Sequence, residues 1–184
     1  CRLDGCVPCR APPGGPRTDT VRGCVSEVML QQTTVATVIP RFAGFVERWP
    51  TVEALAAAAD EDVLHEWAGL GYYARARNLI ACARAIAAAG GFPDTEAGLR
   101  ELPGIGEYTA AAIAAIAFGR DCVPIDTNVD RVVARLQATS DKSAIRAAAA
   151  IMVPPGTAGD FALAVIALGA PIFRPNNPDC GPCP

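Results

Sequence analysis

Leu102-Pro103-Gly104-Ile105-Gly106-Glu107-Tyr108-Thr109-Ala110 is the stretch from which the fold can be read. Pro103-Gly104 ends any helix arriving from the N-terminal side, because proline lacks the amide donor and glycine resists a fixed backbone. Ile105 is an apolar plug between two glycines. Gly106 is expected to take the backbone conformation that side-chained residues avoid. Glu107 then places an acid in the first turn of a helix that runs to Phe118. A hairpin built this way turns backbone N–H groups and a helix N-terminus outward with little side chain in the way, which suits a phosphate-sized anion. A plain connection between two helices fits the Gly-x-Gly as well. The longer string narrows the choice.

Working outward, the preceding segment Thr95–Glu101 reads as a short helix, and Gly90-Gly91 ends a longer one, Tyr72–Ala89. That helix carries an apolar stripe of Tyr73, Ala76, Leu79, Ile80, Ala83 and Ile86, with Arg75, Arg77 and Asn78 near its start. Gly69-Leu70-Gly71 is the turn that leads into it. Upstream, Val25–Gln32 reads as a helix. Thr33 or Thr34 caps a second one through Trp49, kinked or broken at Pro40, and Thr51 and Asp60 cap two more. Downstream, Gly119 is a stop. Val123-Pro124-Ile125-Asp126-Thr127-Asn128-Val129 follows, with Asp126 as N-cap of a helix to Gln137. Helices over Ser143–Met152 and Ala158–Leu168 precede a proline-rich tail.

The chain has 184 residues, room for one large domain or two small lobes. Half of it is hydrophobic (51%), yet no charge-free apolar run nears the roughly 18 residues of a membrane span. Alanine is abundant and no segment alternates with period two, so the fold class is all-α. A net charge of −3 does not mark the whole chain as a nucleic-acid binder, so any DNA contact must come from local arginines and backbone amides. The eight cysteines form three groups. Cys1, Cys6 and Cys9 lie at the start, Cys24, Cys82 and Cys122 sit singly in apolar surroundings, and Cys180 and Cys183 lie near the end. The pattern reads as a reduced, cytoplasmic compartment rather than a disulfide scaffold. A start at Cys1 rather than at methionine reads as a fragment.

Three stretches stand together in order: Ser26-Glu27-Val28-Met29-Leu30-Gln31-Gln32-Thr33, Gly69 through Asn78, and the hairpin followed by Val123–Val129. They resemble the adenine DNA glycosylase (MutY) branch of the helix–hairpin–helix superfamily, over about residues 24–183. The resemblance implies an enzyme that cuts the N-glycosidic bond of adenine mispaired with 8-oxoguanine or guanine in double-stranded DNA, acting as a monomer. Glu27 matches the catalytic acid that protonates adenine. Such an acid must hold its proton near neutral pH, which an apolar helix face favours. Asp126 matches the carboxylate that stabilises the sugar cation. Tyr108 and Asn128 resemble sugar-pocket residues. Tyr108 stands where endonuclease III-like enzymes carry a nucleophilic lysine, which implies a monofunctional glycosylase. Gln32 and Tyr72 match residues that wedge into the duplex. Gln31, Gly71, Arg75, Arg77 and the hairpin residues Gly104, Ile105 and Gly106 complete the expected DNA contacts, with a monovalent cation possible at the hairpin. Read without the resemblance, Glu27 is a solvated helix glutamate and Asp126 only a cap. His65 carries no expected role.

The pattern breaks in places. The family's [4Fe–4S] cluster takes four cysteines; here Phe173 stands at the first position, Cys180 and Cys183 match the middle pair, and the fourth has no counterpart. Cys6 and Cys9 are the residues left to complete a four-thiolate site. No Trp-Arg stretch stands in residues 10–23, Leu163 replaces a polar residue, and none of the 184 residues reads as the 8-oxoguanine-reading domain that the resemblance leads one to expect. Two alternatives therefore stay open: a glycosylase for thymine or uracil opposite guanine, and an inactive DNA-binding remnant or truncated gene product. The expected layout is an atypical leader without regular structure (1–23), a helical barrel with the hairpin (24–125) and a second helical lobe (126–184), with Glu27 and Asp126 facing one cleft.

Overall fold

The computed structural model describes residues 20–179 and Gly181. The described residues form ten helices and no strand: α1 (Thr20–Leu30), α2 (Val35–Arg48), α3 (Val52–Ala56), α4 (Asp60–Glu66), α5 (Tyr73–Ala89), α6 (Glu96–Arg100), α7 (Glu107–Phe118), α8 (Thr127–Leu136), α9 (Lys142–Met152) and α10 (Ala158–Gly169). The all-helical expectation is met. No described helix is long and apolar enough to cross a membrane.

Local chemistry sets most helix ends. Thr34, Thr51 and Thr95 each accept a backbone N–H three residues on, from Thr37, Ala54 and Gly98. Gly90 (φ 78°) and Gly119 (φ 63°) close α5 and α7 in the left-handed conformation. Four expectations need correction. Helix α1 begins at Thr20, so residues 20–23 belong to it and not to an irregular leader. Asp60 lies inside α4 without capping it, because its carboxylate accepts from Arg84 Nη2 at 2.6 Å instead. Tyr73 is 42% exposed and not core, because the first turn of α5 lies at the edge of the packed helices. The left-handed glycine of the hairpin is Gly104 (φ 77°), whereas Gly106 is an extended N-cap of α7 (φ −83°, ψ 176°).

Helix α7 is the hub. Thr109 to Ala115 are all buried, as befits a helix that is apolar on every side. It packs against α1, α6 and α10, and α10 packs against α8. One hydrophobic cluster gathers α1 to α7 around Met29, Phe42, Phe45, Trp67, Ile80 and Ile86. Phe45 sits edge-on to Trp49 at 4.7 Å and to Trp67 at 6.2 Å. A separate cluster gathers α8, α9 and α10 around Val129, Val132, Val133, Ile145 and Val165. Where α10 crosses α7 the side chains shrink to alanine and glycine: a Cβ on Gly159 would lie 3.0 Å from the Ala115 carbonyl oxygen.

Candidate active site

Glu27 sits in the apolar wall between α1 and α7 and is 6% exposed. It lines a narrow cleft with Ser26, Ala112, Ile113 and Ile116. Ser26 Oγ donates back to the Gly23 carbonyl at 2.9 Å, and Gln31 Nε2 donates to Thr109 Oγ1 at 3.2 Å, tying the end of α1 to the first turn of α7. The solvated reading of Glu27 is thereby excluded.

Asp126 caps α8 and is oriented more tightly than a cap requires. Its Oδ1 accepts the backbone N–H of Asn128 at 2.8 Å and of Val129 at 2.7 Å, while Oδ2 accepts Asn128 Nδ2 at 2.8 Å. Asn128 Oδ1 in turn accepts Arg131 Nη2 at 2.7 Å. Arg131 is anchored on the carbonyls of Thr127 (3.0 Å), Gly169 (2.9 Å) and Phe173. Gly169 lets α10 come this close, since a Cβ there would meet Asn128 Cβ at 2.7 Å. Arg131 escaped the sequence reading, although its i+3 spacing from Asn128 puts the two on one helix face. The helices bearing Glu27 and Asp126 are joined through α7 and α10.

Tyr108 is half-buried at the edge of a cavity of about 500 Å³ that Ala111, Cys122, Ile125, Arg146 and Val153 also line. Arg146 on α9 pairs with Glu107 on α7 across this space. The Arg146 hydrogen bond, then its charge, hold the Glu107 carboxyl below its ordinary range. Burial, then the nearby Glu96 and Asp121, push the Cys122 thiol up to about 11, so it stays protonated and unreactive at neutral pH.

At the hairpin, Ile105 is buried and plugs the turn, while Gly104 and Gly106 are exposed. A Cβ on Gly104 would lie 2.6 Å from Asn78 Cβ, so the hairpin leans on α5 through bare backbone. Gln32 and Tyr72 are exposed, and both hold left-handed backbone conformations, with φ 55° and 46°. Arg77 is exposed; Gly71 and Gln31 are half-buried beside them. Arg75 contradicts its expected phosphate contact. It is 7% exposed and turned inward, its guanidinium donating to carbonyls at the end of α1 and of the 70–71 turn. Burial lowers its proton affinity below the ordinary arginine range.

The described residues do not fit a cluster. No group of three or more His, Cys, Asp or Glu among them is placed to hold a metal. Phe173 has no ligating side-chain atom; its ring packs on the second hydrophobic cluster and its carbonyl accepts from Arg131. Cys6, Cys9, Cys180 and Cys183 lie outside the described residues.

Residues 25–155 match the family model described as HhH-GPD superfamily base excision DNA repair protein. The adenine DNA glycosylase of Homo sapiens is 45% identical over 170 residues, covering 87% of this chain and 31% of that protein. The adenine DNA glycosylase of Mycolicibacterium smegmatis is 42% identical over 167 residues, covering 87% and 57%. The chain thus spans a third to somewhat over half the length of these curated relatives. Among solved structures, a thermostable thymine-DNA glycosylase matches with a TM-score of 0.81 at 26% identity, covering 90% of this chain and 80% of that one. A non-covalent endonuclease III–DNA complex matches with a TM-score of 0.80 at 23% identity, covering 92% and 82%, a likeness of fold alone.

Proposed function

This chain belongs to the HhH-GPD superfamily of base excision DNA repair proteins, and we propose that within it the chain is the base-cleaving part of a monofunctional adenine DNA glycosylase. The observation that carries this reading is the buried acid Glu27 on α1, in a sequence 45% identical to an adenine DNA glycosylase. The substrate is an adenine paired with 8-oxoguanine or guanine and turned out of double-stranded DNA, bound by one copy of the chain.

Glu27 gives its proton to adenine N7, which makes the base a leaving group. The C1′–N9 bond breaks with its electron pair going to the base. The cationic sugar that remains is stabilised by Asp126, whose carboxylate is already fixed by Asn128 and Val129, with Arg131 holding Asn128 in turn, until water adds at C1′ and its proton returns to Glu27. Tyr108 and Asn128 bound the sugar. Tyr108 offers no amine for a Schiff base, so strand cleavage does not accompany base release. The backbone N–H groups of Gly104 and Gly106, with Arg77, hold the backbone phosphates, while the Ile105 N–H, expected among them, donates to the Leu102 carbonyl at 3.1 Å and leaves Ile105 only as the buried plug; a monovalent cation sharing the hairpin carbonyls would fit the same task. Gln32 and Tyr72, with Gln31 and Gly71 behind them, enter the gap left by the turned-out base.

Thymine or uracil opposite guanine is the second reading, favoured by the match to a thymine-DNA glycosylase over 90% of this chain. Single-turnover incubation with duplexes holding A opposite 8-oxoguanine, A opposite G, and T or U opposite G, followed by alkali, decides between them. The adenine reading expects breaks at adenine only, after alkali, and lost in Glu27→Gln. Breaks at T or U support the second reading. A mobility shift with no breaks at any target supports a DNA-binding remnant and sinks both.

A further inference from the structure

Two side-chained residues on neighbouring turns, Gln32 and Tyr72, hold the left-handed backbone conformation. Side-chained residues adopt it only where the surroundings over-determine it. Burial of their own side chains does not do so here: both are exposed, Tyr72 by 64%. One guanidinium does. Arg75 Nη1 donates to the carbonyls of Val28 (3.1 Å) and Met29 (2.9 Å) and to that of Gln31. Its Nη2 donates to Thr33 Oγ1 at 2.7 Å and to the carbonyls of Leu70 (2.9 Å) and Gly71 (3.3 Å). We infer that Arg75 is a positioning residue that fuses the 31–33 and 70–72 turns into one platform, from which Gln32 and Tyr72 project as the pair that opens the duplex. The opening role rests on the glycosylase reading above; the platform does not.

Other contacts agree. Thr33 Oγ1 also reaches the Leu70 carbonyl at 3.3 Å, a second tie between the turns. Trp67 forms the floor, its ring 5.4 Å from the Arg75 guanidinium and its Nε1 donating to the Gly71 carbonyl at 3.0 Å. The guanidinium also lies 5.5 Å from the Tyr72 ring, so it steadies that side chain as well as its backbone. Arg75 Nε is buried without a partner. The fork is thus aimed at the two turns at the expense of one of its own donors. A lysine places three donors on one nitrogen and cannot reach both turns at once.

Amide hydrogen exchange on the free protein tests the platform, and cleavage tests its use. In Arg75→Lys, exchange at the hydrogen-bonded amides of the two turns, Gln31 and Thr33 in one and Leu70 in the other, should accelerate together by about tenfold or more, with the α7 amides unaltered. Cleavage of adenine opposite 8-oxoguanine should fall about tenfold, and the deficit should shrink to about twofold when the same adenine faces an abasic-site analogue and has no partner to leave. Thr33→Val, which deletes one Nη2 acceptor and keeps the cation buried, should give the same pattern at smaller amplitude and serves if Arg75→Lys does not fold. Faster exchange in one turn only, or in neither, overturns the platform. A deficit equal on paired and unpaired adenine overturns its role in opening the duplex. If the wild-type chain cleaves no target, the glycosylase reading fails while the exchange result still decides the platform.

Discussion

The hairpin and the paired turns above Arg75 both need backbone in the left-handed region, and they meet the need in opposite ways. At the hairpin the residue is Gly104, with Asn78 so near that a Cβ would collide. At the paired turns the residues are Gln32 and Tyr72, whose side chains face solvent. Glycine is used where the backbone itself is the contact surface, because nothing else fits. Side chains are kept in the same conformation where, on the proposal above, the side chain is the tool, and the strain is offset by one arginine whose Nη1 and Nη2 share their N–H groups among six acceptors. Sequence alone marks the first kind of turn and hides the second.

The largest expected effect breaks the hairpin side of this contrast. Gly104→Ala combines a φ of 77° with a 2.6 Å contact to Asn78 Cβ. It should cost about 3 kcal/mol in a urea melt and weaken duplex binding. A melt that matches wild type would show that the hairpin yields easily. Next comes Asp126, which turns the chain with an ordinary φ of −89° and carries a reacting group too. Asp126→Ala should lose about 1–2 kcal/mol with the cap, whereas Asp126→Asn, itself a good cap, should cost less than about 0.5 kcal/mol. Both should abolish adenine release. Full activity in the asparagine variant would remove the negative charge from the mechanism.

A smaller effect of opposite sign sharpens the contrast. Gln32→Gly relieves a strained residue and should stabilise the protein by about 0.5–1 kcal/mol, while slowing cleavage of paired adenine. Lower stability in that variant would mean that the left-handed turn is not strained. The smallest effect concerns pH. The Glu107 carboxyl is held below its ordinary range by Arg146, so its contribution is present above the ordinary carboxylate range and is lost as pH falls through the lowered value. The pair is exposed, so the melting temperatures of wild type and Glu107→Gln should differ only slightly near neutral pH and converge in acid. A gap that widens in acid would reverse the assignment.

What the sequence revealed, and what it concealed, follows the range of the interactions involved. The caps at Thr34 and Thr51, the glycine stops and the Asp126 cap answer to neighbours within a few residues, and they were legible; the hairpin was legible as a turn, but its left-handed residue is Gly104 and not Gly106, and Thr95 caps α6 where it read as the first helical residue. Arg75 was misread because its partners at Val28, Met29 and Gln31 are more than 40 residues away, and an arginine in a first helical turn looks the same whether it faces phosphates or carbonyls. Asp60 looked like a cap because its partner Arg84 lies on another helix. Tyr73 fits the spacing of the α5 stripe, and only the three-dimensional packing leaves it 42% exposed. Arg146 gave no local signal for its pairing with Glu107, which only the docking of α9 beside α7 creates.

Gly159 rests almost directly on the Ala115 carbonyl, so at this one crossing α10 meets α7 backbone to backbone, with no side chain between them. Such a crossing leaves α10 little room to slide on α7 at that point. If the chain acts on a turned-out nucleotide as proposed above, more of the rearrangement would fall on the pliable double helix than on that crossing.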